Sequence, residues 1–187
     1  MSLTANSTLA ETVVAVAHAL KAAGIRAVLT GGACAGLYSD GAYQSFDVDF
    51  VLQSPVAQTA LDAALAALGF VRDHDHYVHE SCRFWVEFPA GPLGVGDDAV
   101  VEPVDLRVGR ARVLALSATD SCRDRLAAFY HWDDRQGLET AVEIARHQSV
   151  DLKRIHQWSR TEGASRKHAA FRRALDRRLT RKVSPFR

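Results

Sequence analysis

The chain has 187 residues, 48% of them apolar and 24% charged, with a formal net charge of +1. That is the composition of an ordinary globular protein, long enough to bury one core without disulfides or a metal staple. No apolar run approaches the roughly 20 residues of a membrane-spanning helix. The opening Met-Ser-Leu-Thr-Ala-Asn-Ser-Thr lacks the basic start and apolar core of a secretion signal, so a cytoplasmic location is expected. The three cysteines, Cys34, Cys82 and Cys122, are odd in number and far apart, which excludes a disulfide framework and a C-x-x-C metal pair and predicts reduced, buried thiols.

The small net charge conceals an asymmetry. Residues 151–187 hold 12 Lys/Arg against 3 Asp/Glu, while residues 1–150 hold 11 against 19. An acidic body with a basic tail points to a polyanion near the tail, or to a tail paired with the body.

In chain order, Leu9, Val13, Val16 and Leu20 recur at helical spacing, with Gly24 where a C-terminal cap belongs. Residues 25–30 form a strand-like run ended by Gly31-Gly32, and a short helix is predicted over 33–38. Residues 46–52 alternate: Phe46, Val48, Phe50 and Leu52 on one face, Asp47 and Asp49 on the other. Ser54 followed by Pro55 predicts a helix start, with Val56, Ala60, Leu61, Ala64, Leu65 and Leu68 as its buried stripe and Gly69 its end. Residues 70–79 read as a hairpin. Residues 83–88 alternate again, Phe84, Val86 and Phe88 against Arg83, Trp85 and Glu87. A turn-rich loop over 89–98 leads to one or two strands within 100–116, with Gly109 as a hairpin turn. Four helices are predicted after that: from a Ser117 or Thr119 cap to Trp132, over 136–147, over 151–158, and over 165–180 with Phe171, Leu175 and Leu179 as its apolar stripe. Trp132 and Trp158 are expected to pack the helical layer.

A Gly-Gly turn between a strand and a helix lets backbone N–H groups approach a ligand, and the helix N-terminus adds partial positive charge; phosphate suits both. Two Asp separated by one residue put their carboxylates on one strand face, about 7 Å apart at the backbone, where they can converge on divalent cations. Hard oxygen ligands select Mg²⁺ or Mn²⁺ over zinc. Taken alone, each feature also suits a plain turn and a solvated strand edge.

In combination, Leu29-Thr30-Gly31-Gly32 followed by Phe46-Asp47-Val48-Asp49-Phe50 resembles the nucleotidyltransferase superfamily of DNA polymerase β-like folds, with a somewhat longer spacer than the family's usual one. The resemblance implies an α/β (α+β) fold: a nucleotidyltransferase-like mixed β-sheet with flanking helices over residues 1–117, then a C-terminal helical region with a basic tail over 118–187. It implies Gly31 and Gly32 as nucleotide-binding, Asp47 and Asp49 as catalytic and metal-holding, and a third carboxylate on a later strand. Glu87 is preferred for that role, with Asp105 as the alternative. The helical third is similar to the abortive-infection and toxin–antitoxin branch, where a basic helical residue faces the triphosphate; Arg125, before Asp133-Asp134-Arg135, stands in that place. The competing reading of that helix is an exposed face with Asp120–Arg123 and Asp124–Arg125 surface charges.

The implied activity is Mg²⁺- or Mn²⁺-dependent transfer of a nucleoside monophosphate from an NTP such as ATP to an RNA, protein or small-molecule hydroxyl. The alternative is a non-catalytic nucleotide-binding or interaction module. Expected partners are a nucleoside triphosphate, RNA through the basic helix bearing Arg166, Lys167, Arg172, Arg173, Arg177, Arg178, Arg181 and Lys182, and an antitoxin-like protein, with no membrane. His74, His76 and His79 read as a polar hairpin and not a metal cluster. The glycines at 91, 94 and 96 read as a surface loop that could shape the substrate cleft.

Overall fold

The computed structural model describes residues 3–182, with side chains to residue 180. The expected side-chain roles of Arg181 and Lys182 lie outside the described residues. The first helix, α1 (Leu9–Ala22), is set by a capping box: Thr8 accepts from the Glu11 N–H, and the Glu11 carboxylate accepts from the Thr8 N–H. Val13, Val16 and Leu20 are buried along its inner face. Gly24, with φ +71°, turns the chain into β1 (Ala27–Leu29). After it come α2 (Gly31–Tyr38), β2 (Asp47–Leu52), α3 (Gln58–Ala66), the hairpin β3 (Phe70–Asp73) and β4 (His76–His79), and β5 (Trp85–Glu87). A loop leads to a second hairpin, β6 (Val104–Val108) and β7 (Ala111–Ala115), turned at Gly109 with φ +60°.

These strands form one seven-stranded mixed sheet in the order β3-β4-β5-β2-β1-β7-β6. The pairs β2–β5 and β1–β7 are parallel and the rest antiparallel. Val48, Phe50 and Val86 are buried while Asp47, Asp49, Trp85 and Glu87 on the opposite face are half-buried, the period-two pattern of a sheet with one face in the core.

Four helices follow among the described residues: α4 (Ala118–Trp132), α5 (Arg135–His147), α6 (Leu152–Thr161) and α7 (Ser165–Lys182). Ser117 caps α4, Asp134 caps α5 and Asp151 caps α6, each by accepting backbone N–H bonds. The Asp133-Asp134-Arg135 segment is thus the hinge between two helices, with Asp133 in the left-handed region. Helix α2 joins the layers: Tyr38 Oη donates to Leu116 O at 2.9 Å, and Gln148 Nε2 to Tyr38 O at 3.0 Å. Phe171 and Leu175 are buried under α7, as their spacing predicts, while Leu179 is exposed.

Several expectations are corrected. Helix α3 begins at Gln58 after Ala57, not at Ser54-Pro55. The Gln53 N–H still donates to Arg26 O in the β1–β2 ladder, and the residue before a proline is held extended. Ala60, placed in the buried stripe, is consequently exposed. Phe46 is 47% exposed, because it precedes the paired part of β2 and leans on Phe84 and Trp85 at the sheet's end. Trp132 is 77% exposed at the last residue of α4, where the chain turns away; Trp158 alone of the two packs inside.

The surface-charge reading of Asp120–Arg123 also gives way. Arg123 is fully buried, its Nη1 donating to Asp120 Oδ1 at 2.7 Å and its Nη2 to Asp98, with its guanidinium 4.9 Å from the Trp158 ring centroid. Arg154 also reaches Asp120. The 89–98 loop is therefore strapped to the helices, and the Asp97 N–H adds a bond to Glu162 at 2.8 Å. Removing one partner of a buried ion pair leaves the other uncompensated. Arg123→Met is expected to cost about 3 kcal/mol and lower Tm by about 10 °C in a thermal melt.

Candidate active site

The candidate site is built where the end of β1 meets β2 and β5. The Thr30 N–H donates to Asp49 O at 2.9 Å, which sets the paired-glycine turn directly beside the Asp strand. Gly31 has φ +61°, and a Cβ built on it would overlap Asp49 Oδ2. Gly31 is required twice over, by backbone conformation and by the carboxylate against its Cα. Gly32 is crowded less tightly, its missing Cβ falling against the Ser45 side chain and near the Tyr43 ring. Thr30, the N-cap of α2, makes no side-chain bond to the helix N-terminus, so no side chain of the cap competes with a ligand there.

Strand register assembles the acids. Asp49 pairs with Glu87 and Asp47 with Trp85, so all four side chains occupy one sheet face. The Trp85 indole N–H donates to Glu87 Oε1 at 3.0 Å, drawing that carboxylate along β5 toward the level of Asp47. Among the described residues, no group of three or more His, Cys, Asp or Glu is placed to hold a metal ion by itself. Asp47, Asp49 and Glu87 share the sheet face without converging on one point.

Arg125 enters from α4. Its Nε and Nη2 both donate to Asp124 Oδ2, at 3.0 and 2.6 Å. Burial works against its charge, and Asp124, Tyr43 and Asp49 more than offset this, so its pKa stands above the ordinary guanidinium value. A half-buried cation is thus held near Asp49 and Tyr43, latched by a neighbouring acid.

No protein-family model and no curated protein matches this sequence. Solved structures do match in fold. An antigenic nucleotidyltransferase-like protein from Paracoccidioides brasiliensis superposes with a TM-score of 0.55 at 17% identity, over 74% of this chain and 75% of that one. ANT(2'')-Ia, solved in complex with adenylyl-2''-tobramycin, superposes with a TM-score of 0.51 at 14% identity, over 90% and 99%. The chain has the nucleotidyltransferase fold.

In this fold the remaining sequence candidates fall as follows. Asp105 lies on the edge strand β6, with β1 and β7 between it and the Asp strand, so it does not join Asp47 and Asp49. His74 and His76 bond their neighbours Asp73 and Asp75 in the hairpin turn. Gly96 sits against Glu162, on the strapped loop, and opens no helix. Along α7, Lys167 is bound to Asp133 and to the Phe129 and Tyr130 carbonyls, Arg172 to Asp176 and Arg178 to Glu143. The three thiols are buried and free, with Cys34 pushed up to about 12 chiefly by burial. Tyr43 and Ser45 border the site but carry no sequence signal of their own, and the Asp124–Arg125 pair, which the competing reading placed on the surface, is mostly buried. Trp85 was visible only as a neighbour of Glu87 in the alternation.

Electrostatics at the site are unbalanced. The Asp49 carboxyl is pushed up to about 6, first by burial and then by Glu87 and Asp47, with Arg125 giving partial relief. An unfolded Asp ionises near the ordinary value of 3.8, so ionising Asp49 in the folded chain costs stability. That stability is fully present below about pH 4 and is lost as pH rises through about 6, by up to about 3 kcal/mol. With a chelator present, Asp49→Asn is therefore expected to be more stable than wild type to urea at pH 7.5, and the gap should shrink steadily toward pH 4.

Proposed function

We propose that this chain is a Mg²⁺- or Mn²⁺-dependent nucleotidyltransferase that moves a nucleoside monophosphate from an NTP to a hydroxyl acceptor. The observation that carries the reading is the contact between Gly31 and the Asp49 carboxylate, with Glu87 in register beside it. A phosphate-accepting turn and a cation-seeking acid group thereby share one place. In this reading Gly31 and Gly32 receive the triphosphate through backbone N–H groups, Asp47, Asp49 and Glu87 hold the divalent ion, and Arg125 steadies phosphate charge. Residues 1–117 supply the acids and the turn, and the helical region 118–187 supplies Arg125.

The bound ion would neutralise triphosphate charge and ease loss of the acceptor proton. The chain's own part is alignment. The acceptor oxygen forms a bond to the α-phosphorus while the bond to pyrophosphate breaks; the acceptor proton passes to a carboxylate of the group, and pyrophosphate leaves past Arg125. Positioning and charge neutralisation account for the rate. The raised pKa of Asp49 supports this use, because a crowded, buried acid gains most from a cation.

The adenylyl-2''-tobramycin bound to ANT(2'')-Ia supports nucleotidyl transfer to a hydroxyl-bearing molecule as the reaction class. A binding module without turnover would have no need of three acids crowded at an energetic cost. RNA as acceptor loses some support where Lys167 of the basic helix is held by Asp133 and the Phe129 and Tyr130 carbonyls, although Arg166, Arg173 and Arg177 stay exposed. With α-labelled NTPs and Mg²⁺, wild type is expected to transfer label to an acceptor fraction, and Asp49→Asn to lower transfer about 100-fold or more while remaining folded by circular dichroism. Transfer unchanged in Asp49→Asn would overturn the reading.

A further inference from the structure

The sheet face that carries the acids continues beyond them. Register places His76 beside Glu87, then Val78 on β4 and Val71 and Asp73 on β3, all on the side of Asp49 and Glu87. The strap between Asp98 and Arg123 holds the 89–98 loop, in which Gly91 lies beside Val51 and Leu52 of β2. The β4–β3 end stays open: Val78 is 37% exposed and Val71 68% exposed. Two neighbouring strand positions, level with Trp85, thus present valines to water about 5 and 10 Å beyond the strand that carries Glu87. They lie beyond Glu87, on the side away from the paired-glycine turn.

Three properties of this face restrict what it takes. It is a pleated surface with exposed apolar residues, whereas small-molecule sites are concave and enclose most of their ligand. Its rim is acidic: Asp73, Asp75 and Glu80 on and beside the hairpin are exposed. Arg72 points to the other face, where it pairs with Asp62. A nucleic acid would meet acids where it needs cations. We infer that this open face docks the acceptor, and that the acceptor is a polypeptide segment carrying Lys or Arg around a Ser, Thr or Tyr hydroxyl. The inference rests on the transferase reading and names its substrate class. The segment's apolar side chains cover Val71 and Val78, its cations meet Asp73 and Asp75, and its hydroxyl reaches Glu87. The hydroxyl oxygen bonds the α-phosphorus, its proton goes to the acid group, and pyrophosphate departs.

The test offers the full chain, with Mg²⁺ and α-labelled NTPs, three acceptors in parallel: degenerate Ser/Thr/Tyr peptides with Lys/Arg flanks, the same peptides with Asp/Glu flanks, and total RNA. Label is expected in the basic peptides alone. The double variant Asp73→Lys, Asp75→Lys changes only exposed side chains of the hairpin turn, and its KM for the basic peptides should rise at least tenfold with KM for NTP unchanged. Label in RNA but not in peptides, equal labelling of basic and acidic peptides, or an unchanged peptide KM in the double variant would each overturn the inference and leave the transferase reading standing. No label in any acceptor, with no NTP binding by calorimetry, would overturn both.

Discussion

The carboxylate of Asp49 rests against the Cα of Gly31, and the rest of the site follows from that contact. It exists because β1 and β2 are hydrogen-bonded up to the Thr30 N–H, which leaves the turn no room to swing away. It tolerates no side chain at position 31, by space and by backbone angle. An acid in that position has lost water on one side and gained Glu87 and Asp47 on the other. The fold thus crowds a carboxylate that the proposed divalent ion would relieve.

The remaining architecture keeps that arrangement in place. Parallel pairing of β2 with β5 puts Glu87 level with Asp49, and the Trp85 indole fixes the direction of the Glu87 carboxylate. The helical layer contributes Arg125 from the middle of α4, and α4 is anchored through its buried Arg123, braced by Asp120 of the same helix, to Asp98 in the loop that follows β5. A single helix turn thus carries one arginine that ties the layers together and another that faces the acid group. Burying Arg123 among acids and Trp158 is costly unless every partner is present, which makes the loop, α4 and α6 one mechanical unit.

Much of this was legible in the sequence. The alternations over 46–52 and 83–88 read as half-buried strands, although β5 spans only Trp85–Glu87 and at the end of β2 Val51 is buried in place of Leu52; the turn glycines Gly24, Gly69 and Gly109 all take positive φ as their positions suggested. The start of α1 carries a further local signal, the Thr-x-x-Glu pattern of the Thr8–Glu11 capping box, which apolar periodicity alone does not reveal. Other features depended on contacts between residues distant in sequence. Choosing between Glu87 and Asp105 as the neighbour of Asp49 required the strand order, since both alternate alike; the sheet sets Glu87 beside Asp49 and Asp105 at an edge. The burial of Arg123 is set by Asp98, 25 residues away, and local composition reads it as a surface charge. Ser54-Pro55 failed as a helix start because a tertiary strand pairing ran through Gln53. The role of the longer spacer, whose Tyr43 is tucked against Gly32, has no signature in residue pattern.

The central claim is that Asp47, Asp49 and Glu87 act together on one divalent ion at the paired-glycine turn. Electron paramagnetic resonance titration of Mn²⁺, with and without a non-hydrolysable NTP analogue, tests it without any acceptor. Wild type should bind Mn²⁺ markedly tighter with the analogue present, and Asp47→Asn, Asp49→Asn and Glu87→Gln should each weaken that binding by about tenfold or more. Equal Mn²⁺ binding by wild type and all three variants would contradict the account.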